Sequence, residues 1–247
     1  MSNSPLVSYT KISPNKTSPR NHKIDTITIH CVVGQCSVET LGNIFAPKSR
    51  QASSNYGIGP DGRIGMYVEE KDRSWCSSNR ANDNRAITIE CASDTTYPYA
   101  INKTVYKALI ELCADICKRN DIKELKWKAD KSIIGQPDKQ NVTVHRWFSS
   151  TSCPGDYIYK RLGQIASEVN KKLEDERDTF EPYMVRVDIP NLNIRKGPGT
   201  NYDLTGKFTG KGVFTIIEVK SGKGSNAGWG LLKSKAGWIS LDYTTKV

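Results

Sequence analysis

The chain has 247 residues, a formal net charge of +10, and 37% hydrophobic and 25% charged residues. This composition supports a packed core and excludes wholesale disorder. No stretch approaches the roughly 18 consecutive apolar residues of a membrane span, and the polar first 23 residues contain no secretory apolar segment. We therefore expect synthesis in the cytosol without a signal peptide. The positive charge favours an anionic partner such as cell-wall polymer, lipid or nucleic acid.

Strand and helix patterns alternate over the first 173 residues. The first 20 residues are rich in Ser, Pro, Asn and Lys and predict an arm over the surface. The elements that follow are a strand at 25–33, a Ser-capped helix at 37–45, a β-hairpin at 53–69, a strand at 85–92, an amphipathic helix at Lys103–Arg119, and a helix at 156–173. This alternation predicts an α/β domain over residues 1–173, with a mixed central sheet flanked by helices.

The sequence changes character after residue 173. Residues 174–183 are charged, contain a proline and predict a linker. Residues 184–247 hold short β-type runs separated by Gly, Pro and Asn, a pattern typical of a small all-β barrel. This segment carries ten Lys or Arg and four Asp or Glu, so its positive charge is denser than that of the rest of the chain.

Two histidines and one cysteine suggest a metal site. His30 ends the run TITIH, His145 ends the run VTVH, and Cys153 follows in a Ser-Cys-Pro-Gly turn. Zinc takes imidazole nitrogen and thiolate sulfur, and three protein ligands with one open position form a catalytic site. The third histidine, His22, lies in a polar stretch and is expected to be solvated. The other six cysteines are expected to be reduced thiols, since the number is odd and no signal peptide is seen.

The stretches TITIHCVVG, SSNYGIGPDGRIGMYVEE, WCSSN, AITIECAS and VHRWFSSTSCPGDYI resemble, in order, the type-2 N-acetylmuramoyl-L-alanine amidases, a family that includes phage endolysins and bacterial autolysins. The resemblance implies an enzyme that cuts the amide bond between N-acetylmuramic acid and L-Ala in peptidoglycan. It implies a Zn²⁺ ion held by His30, His145 and Cys153.

The same resemblance implies three further site residues. Tyr56 matches a tyrosine that helps to position substrate or the attacking water. Thr151 stands near the developing oxyanion, where members have lysine or threonine, and as a shorter, neutral donor it is expected to contribute less than a lysine would. Glu90 matches a glutamate that acts as a base, although a structural carboxylate paired with an arginine fits the position equally well.

The C-terminal segment resembles the bacterial SH3-like domains attached to many wall hydrolases. The resemblance rests on eight residues, namely Leu192, Asn193, Ile194, Arg195, Gly197, Pro198, Trp238 and Tyr243. It implies a module that binds peptidoglycan or its anionic polymers. Trp238 is expected in the core, whereas Tyr202 and Trp229 stand in polar loops and predict an aromatic platform.

Several alternatives remain at this point. A thiol hydrolase would use Cys153 as nucleophile and a histidine as its base. A binding protein without catalysis is disfavoured because Cys153 is present, and nucleic-acid binding is disfavoured because no element interleaves basic and aromatic residues. No carboxylate pair suggests a glycosidase. The combination favours a phage endolysin, with a host autolysin as the alternative; the sequence does not indicate an oligomeric state.

Overall fold

A six-stranded mixed sheet organises the first of two units in the computed structural model. The structure describes residues 2–178 and 180–247, with the backbone alone for residues 175–178, and the units are Met1–Glu174 and Asp175–Val247. The strands and helices of the first part are, in chain order, β1 (Val7–Thr10), β2 (Lys16–Thr17), β3 (Thr26–Cys31), α1 (Val38–Phe45), β4 (Tyr56–Ile58), β5 (Ile64–Met66), β6 (Arg73–Ser74), α2 (Arg80–Arg85), β7 (Ala86–Cys91), α3 (Lys103–Arg119), β8 (Val142–Val144), α4 (Gly155–Tyr159) and α5 (Leu162–Asp178).

The sheet has the strand order β1-β5-β4-β7-β3-β8. Strands β4, β7, β3 and β8 run parallel, and β5 pairs antiparallel with β4. The β-branched residues of β3 and β7 form one core with the apolar stripes of α3 and α5. The opposite face carries α1, whose Leu41 and Phe45 pack on Tyr67. The predicted mixed α/β class is thus confirmed.

Most of the predicted elements are present. The helix at Lys103–Arg119 has the predicted bounds, and Ser37 caps α1 by accepting a hydrogen bond from the Thr40 N–H. The predicted hairpin is the β4–β5 pair, and its turn places Gly62 at φ +82°, a backbone conformation that suits glycine.

The prediction of an N-terminal arm is wrong. Strand β1 pairs with β5 at the edge of the sheet, and β2 pairs with β6. Arg20 is buried and donates hydrogen bonds to five backbone carbonyl oxygens, those of Glu70, Asp72, Asp83, Asn84 and Ala86. Hydrogen bonds rather than apolar contacts fix this segment to the rest of the fold. Its sequence is therefore polar, and a polar sequence is also what a solvated arm would have.

The last predicted helix is two helices, and the predicted linker begins inside one of them. Helix α4 ends at Tyr159, and α5 begins at Leu162 and continues to Asp178. The carbonyl of Arg161 accepts from the Ile165 N–H and so starts the second helix. No proline or glycine occupies the break at 160–161, so the apolar spacing alone suggested one helix.

The second unit contains a seven-stranded antiparallel sheet in the order β11-β10-β14-β13-β12-β9-β15. Its strands are β9 (Tyr183–Val187), β10 (Asn193–Arg195), β11 (Leu204–Phe208), β12 (Gly212–Lys220), β13 (Trp229–Leu232), β14 (Trp238–Ser240) and β15 (Thr245–Lys246). A small core includes Val185, Ile194, Ile216 and Ile239. The small all-β unit is as predicted, although the polar strand β11 was not foreseen.

The aromatic residues of the second unit differ partly from expectation. Trp238 is buried, as predicted. Trp229 is also buried, at 3% exposure, because it begins β13 and does not lie in an open loop. Tyr202 is exposed at 45%. The predicted platform of Tyr202 and Trp229 is therefore wrong for Trp229. Within the part of the chain that is described, no helix is long and apolar enough to cross a bilayer.

Candidate metal centre

Three neighbouring parallel strands carry the same short pattern at or near their ends. In β3 the pattern is Thr-Ile-His with His30 one residue before the strand's end, in β7 it is Thr-Ile-Glu with Glu90 one residue before the end, and β8 leads through Thr-Val-His to His145. The register pairs His30 with Glu90 directly. Because side chains alternate along a strand, the isoleucines face the core while the two histidines and Glu90 share the opposite face. The carboxyl ends of the strands thus gather three polar side chains at one edge of the sheet.

Cys153 joins these side chains from the loop before α4. Its Sγ lies 3.4 Å from His30 Nδ1, and the ring centroids of His30 and His145 are 5.1 Å apart. Ligand atoms of all three residues lie within 4.8 Å of one another. Two ligands of a tetrahedral zinc, with Zn–N near 2.05 Å and Zn–S near 2.3 Å, stand about 3.6 Å apart. The donor set and its spacing therefore fit a zinc ion.

Burial keeps this group uncharged when no cation is bound. It lowers the pKa of His30 to about 3, and the neighbouring His145 adds to the effect. Burial also lowers the pKa of His145. A hydrogen bond with the Cys31 thiol, together with burial, raises the pKa of Cys153. Neutral imidazoles are the form that binds a metal, whereas the thiol must lose its proton to do so.

Glu90 lies next to the three candidate ligands. Its Oε1 is 3.9 Å from His30 Nδ1 and accepts from the Cys76 thiol at 3.8 Å. Burial raises the pKa of Glu90 to about 7. Its Oε2 is buried and has no hydrogen-bond partner among the described residues. Within the described ranges no arginine lies within ion-pair distance of Glu90, although the positive charge of Arg50 at the same cavity acts to lower the pKa of this carboxylate.

A cavity of about 300 Å³ opens beside this cluster. Its lining includes Glu90, His145, Cys153, Thr151 and Arg50. The Thr151 hydroxyl accepts a hydrogen bond from the Cys153 N–H at 3.2 Å, which places this hydroxyl at the cavity beside the candidate ligands. A larger groove of about 1140 Å³ lies between residues 124–139 and α5, and neither histidine nor cysteine lines it.

The structure places Tyr56 on the face of the sheet opposite to the candidate ligands, away from the position that its predicted role requires. Tyr56 pairs in register with Ile89 and is therefore on the core face of the sheet, opposite to Glu90. Its hydroxyl donates to Glu70 Oε1 at 2.7 Å and accepts from the Ser4 N–H. The side chain is fully buried. A resemblance in sequence could not show which face of the short strand β4 this tyrosine occupies.

The sequence also matches a family of known chemistry. N-acetylmuramoyl-L-alanine amidase is the family whose pattern matches residues 20–156, which is more than half of the chain. The chain belongs to this amidase family. The match includes His30, Glu90, His145, Thr151 and Cys153. Membership supports peptidoglycan amidase activity for the chain.

Several solved structures are similar to part of this chain. PlyL is 14% identical, with a TM-score of 0.49 over 65% of this chain and 95% of its own. The endolysin N-acetylmuramoyl-L-alanine amidase LysCS from Clostridium intestinale URNW is 18% identical, with a TM-score of 0.46 over 64% and 91%. A selenomethionine AmpD derivative is 16% identical, with a TM-score of 0.49 over 67% and 99%. A search of curated proteins finds no match.

The sequence analysis of this amidase-family chain missed three residues that lie beside the candidate metal centre. Cys76 contacts the Glu90 carboxylate, the Ser78 hydroxyl lies 3.3 Å from His145 Nε2, and the free Cys31 thiol is hydrogen-bonded with the Cys153 thiol. Ser78 has φ +61°, a strained conformation for a residue other than glycine. Cys76 and Ser78 belong to WCSSN, one of the stretches that resemble the family. That resemblance could have identified these two residues as candidates for the site.

Proposed function

We propose that the chain is a zinc-dependent N-acetylmuramoyl-L-alanine amidase that hydrolyses the amide bond between N-acetylmuramic acid and L-Ala. The observation that carries the proposal is the convergence of His30, His145 and Cys153, whose ligand atoms lie within 4.8 Å of one another at the edge of the sheet. Two imidazoles, one thiolate and an adjoining cavity make a three-ligand centre with room for substrate.

The ligand set determines the charge of the centre. Two neutral histidines and one cysteine thiolate would leave a divalent ion with a net charge of +1. When bound, zinc supplies Lewis acidity for the scissile carbonyl and lowers the pKa of water. A pKa of about 3 keeps the His30 ring neutral and available for coordination near neutral pH. The Cys153 thiol, whose pKa is raised in the free protein, must release its proton when zinc binds.

Glu90 is the candidate for proton transfer. A pKa of about 7 lets one carboxyl group accept a proton and donate it again near neutral pH. Glu90 would take a proton from the attacking water and deliver it to the departing amine of L-Ala. Its unpartnered Oε2 leaves an acceptor for this task.

Thr151 is the candidate for stabilising the developing negative charge. It lines the cavity and lies two residues before Cys153. Its hydroxyl would donate to the oxyanion of the tetrahedral intermediate. Because a hydroxyl is neutral and short, we expect a smaller effect than a charged donor would give.

A thiol hydrolase is the second candidate, and one observation favours it. The 3.4 Å contact between Cys153 Sγ and His30 Nδ1 is within reach of a nucleophile and its base. Such an enzyme works through a thiolate and a protonated imidazole. Here the pKa of Cys153 is raised and that of His30 is lowered, which favours the neutral pair. The metal amidase is therefore our preferred function.

The second unit is proposed to direct the enzyme to its substrate. We assign the first unit, Met1–Glu174, to catalysis, and residues 184–247 to an SH3-like module that binds peptidoglycan or its anionic polymers. A dense positive charge supports attraction to teichoic-acid-bearing wall. The order of a wall amidase and an SH3-like tail supports a phage endolysin, with a host autolysin of the same chemistry as the alternative.

Substitution of the ligands tests the proposed centre. His30→Ala, His145→Ala and Cys153→Ala should each lose turnover of a soluble muropeptide and bind less than one equivalent of zinc. The matched control is His22→Ala, which removes the remaining histidine and should change neither quantity. A ligand variant that retains full turnover and one zinc per chain would remove that residue from the centre. Zinc-independent turnover that requires Cys153 would favour the thiol hydrolase.

A further inference from the structure

A second cavity, of about 220 Å³, lies in the all-β unit. Its walls combine the apolar side chains of Ile189, Leu192 and Tyr243 with the polar side chains of Arg195 and Ser240. Trp229 also lines it. The volume is smaller than that of a typical pocket for a drug-sized ligand. The cavity therefore suits one or two small residues of an extended chain.

Two buried polar atoms beside this cavity lack partners. Trp229 Nε1 and Ser240 Oγ are shielded from water, and neither forms a hydrogen bond within the described part of the chain. Their residues are more than nine-tenths buried. Trp229 and Ser240 face each other across the β13–β14 pair, so their Cβ atoms are about 5 Å apart. An unpaired buried polar group is costly, and two at adjacent positions of one cavity indicate a partner that arrives from outside.

The chemistry of the two atoms defines that partner. An indole N–H can only donate, and a hydroxyl can donate as well. One ligand oxygen, or the two oxygens of one carboxylate, can accept from both groups. Arg195 adds positive charge at the same place, with its guanidinium carbon 5.9 Å from the centre of the Trp229 ring. The carbonyl oxygens of Thr200 and Tyr202 accept from Arg195 Nη1 and hold the side chain in position.

We propose that this cavity binds a carboxylate of a short wall peptide, with Trp229 Nε1 and Ser240 Oγ as donors and Arg195 as the counter-charge. The proposal deepens the wall-binding role proposed for the second unit and rests on it. The apolar walls fit a small apolar side chain such as the methyl group of alanine. A polyanion such as teichoic acid would be expected to use several cations, whereas among the described residues Arg195 is the one cation that lines this cavity.

The test follows the Trp229 indole directly. The full-length chain, labelled with ¹⁵N, contains five tryptophans, and Trp229→Phe assigns the indole N–H signal of Trp229. The labelled protein is titrated with a synthetic stem peptide, with the same peptide carrying amidated carboxylates, and with a glycerol-phosphate oligomer. Dissociation constants are measured for Trp229→Phe and Ser240→Ala. The matched controls are Trp238→Phe, on the adjacent strand outside the cavity lining, and the exposed Ser234→Ala.

The free peptide should shift the Trp229 indole signal, and each cavity variant should weaken binding roughly tenfold, since one hydrogen bond to a charged acceptor is lost. The controls should bind as the parent does. An unmoved indole signal with the free peptide overturns the proposal, whether or not the glycerol-phosphate oligomer moves it. Equal binding of the amidated peptide overturns the carboxylate assignment.

Turnover of a soluble muropeptide, measured on the same proteins, separates this proposal from the proposed function. Trp229→Phe and Ser240→Ala should cleave it as the parent does, because the first unit holds the candidate centre. A parent without turnover contradicts the amidase function, whereas the indole titration still decides the cavity. Full turnover with an unmoved indole signal contradicts the cavity alone.

Discussion

At the scale of single residues, the candidate centre is formed by buried polar groups with incomplete hydrogen bonding. His30 Nε2 and Glu90 Oε2 are both shielded from water and have no partner among the described residues. Each such group lowers stability by about 1–3 kcal/mol relative to a satisfied one. They lie at the ends of neighbouring strands, beside a thiol and a second histidine. The fold thus keeps reactive groups unpaired in the place where a metal and a substrate would meet them.

Glu90→Gln should lower kcat at least a hundredfold and leave KM nearly unchanged, because the amide keeps the shape of the side chain but cannot carry the proton. Steady-state kinetics on a soluble muropeptide measure this. Glu39→Gln, in an exposed ion pair with Arg63, is the control and should retain the parent kcat. A Glu90→Gln enzyme with parental kcat would return Glu90 to a structural role.

Tyr56→Phe should leave kcat within about twofold of the parent and reduce the free energy of unfolding by about 1–3 kcal/mol. The lost hydroxyl deprives Glu70 and the Ser4 N–H of a buried partner. Denaturant unfolding and kinetics on the same preparation measure both effects. The matched control is Tyr67→Phe, which also loses a hydroxyl. That hydroxyl donates a hydrogen bond to the Val38 carbonyl oxygen. Loss of kcat with parental stability would restore Tyr56 to the catalytic site.

At the scale of elements, the pattern of apolar residues in the sequence predicted well those segments that are stabilised by burial of apolar side chains. The strand that carries His30 and the helix Lys103–Arg119 were found where expected, because their buried faces carry periodic apolar residues. The candidate ligands were predictable too, since two strand-end histidines and a Ser-Cys-Pro-Gly turn are visible in the sequence. The structure places their ligand atoms close enough to share one ion.

Segments held by hydrogen bonds were not predictable in the same way. Arg20 is buried against backbone carbonyls, and nothing in the composition of residues 1–20 distinguishes it from a solvated arginine. The face of the sheet on which Tyr56 lies was also not predictable. Strand β4 spans only three residues and shows no alternation of apolar and polar residues. The buried position of Trp229 depends on pairing with β14, a contact that local sequence does not reveal.

Arg20→Met should reduce the free energy of unfolding by about 3–5 kcal/mol, because it leaves buried carbonyl oxygens without their donor. Chemical denaturation followed by circular dichroism measures the change. Arg63→Met removes an arginine from exposed ion pairs and should stay within about 1 kcal/mol of the parent. Equal stability of the two variants would show that the N-terminal segment contributes little to the fold.

At the scale of the whole molecule, the proposed chemistry and the proposed attraction to the wall lie in different units of the chain. The candidate ligands lie in the first unit, and the segment 184–247 carries a net charge of +6. A tethered binding module raises the local concentration of substrate without altering the reaction itself. The two activities should therefore separate when the chain is shortened.

Residues 1–178 alone should cleave soluble muropeptide at about the parent rate but lyse intact cells at least tenfold more slowly, because avidity for the wall is lost. Circular dichroism checks that the shortened chain is folded, and turbidity of a cell suspension measures lysis. Added salt should slow lysis by the full chain more than lysis by the shortened one. Equal lysis by both forms would contradict the targeting role of the second unit.

The most direct test of the account is digestion of purified peptidoglycan with and without a chelator, followed by addition of zinc and analysis of the new end groups. The account predicts new amino groups on L-Ala, which disappear when the chelator removes the metal and return with zinc. New reducing sugar ends, or L-Ala amines that appear equally well in the presence of chelator, would contradict it.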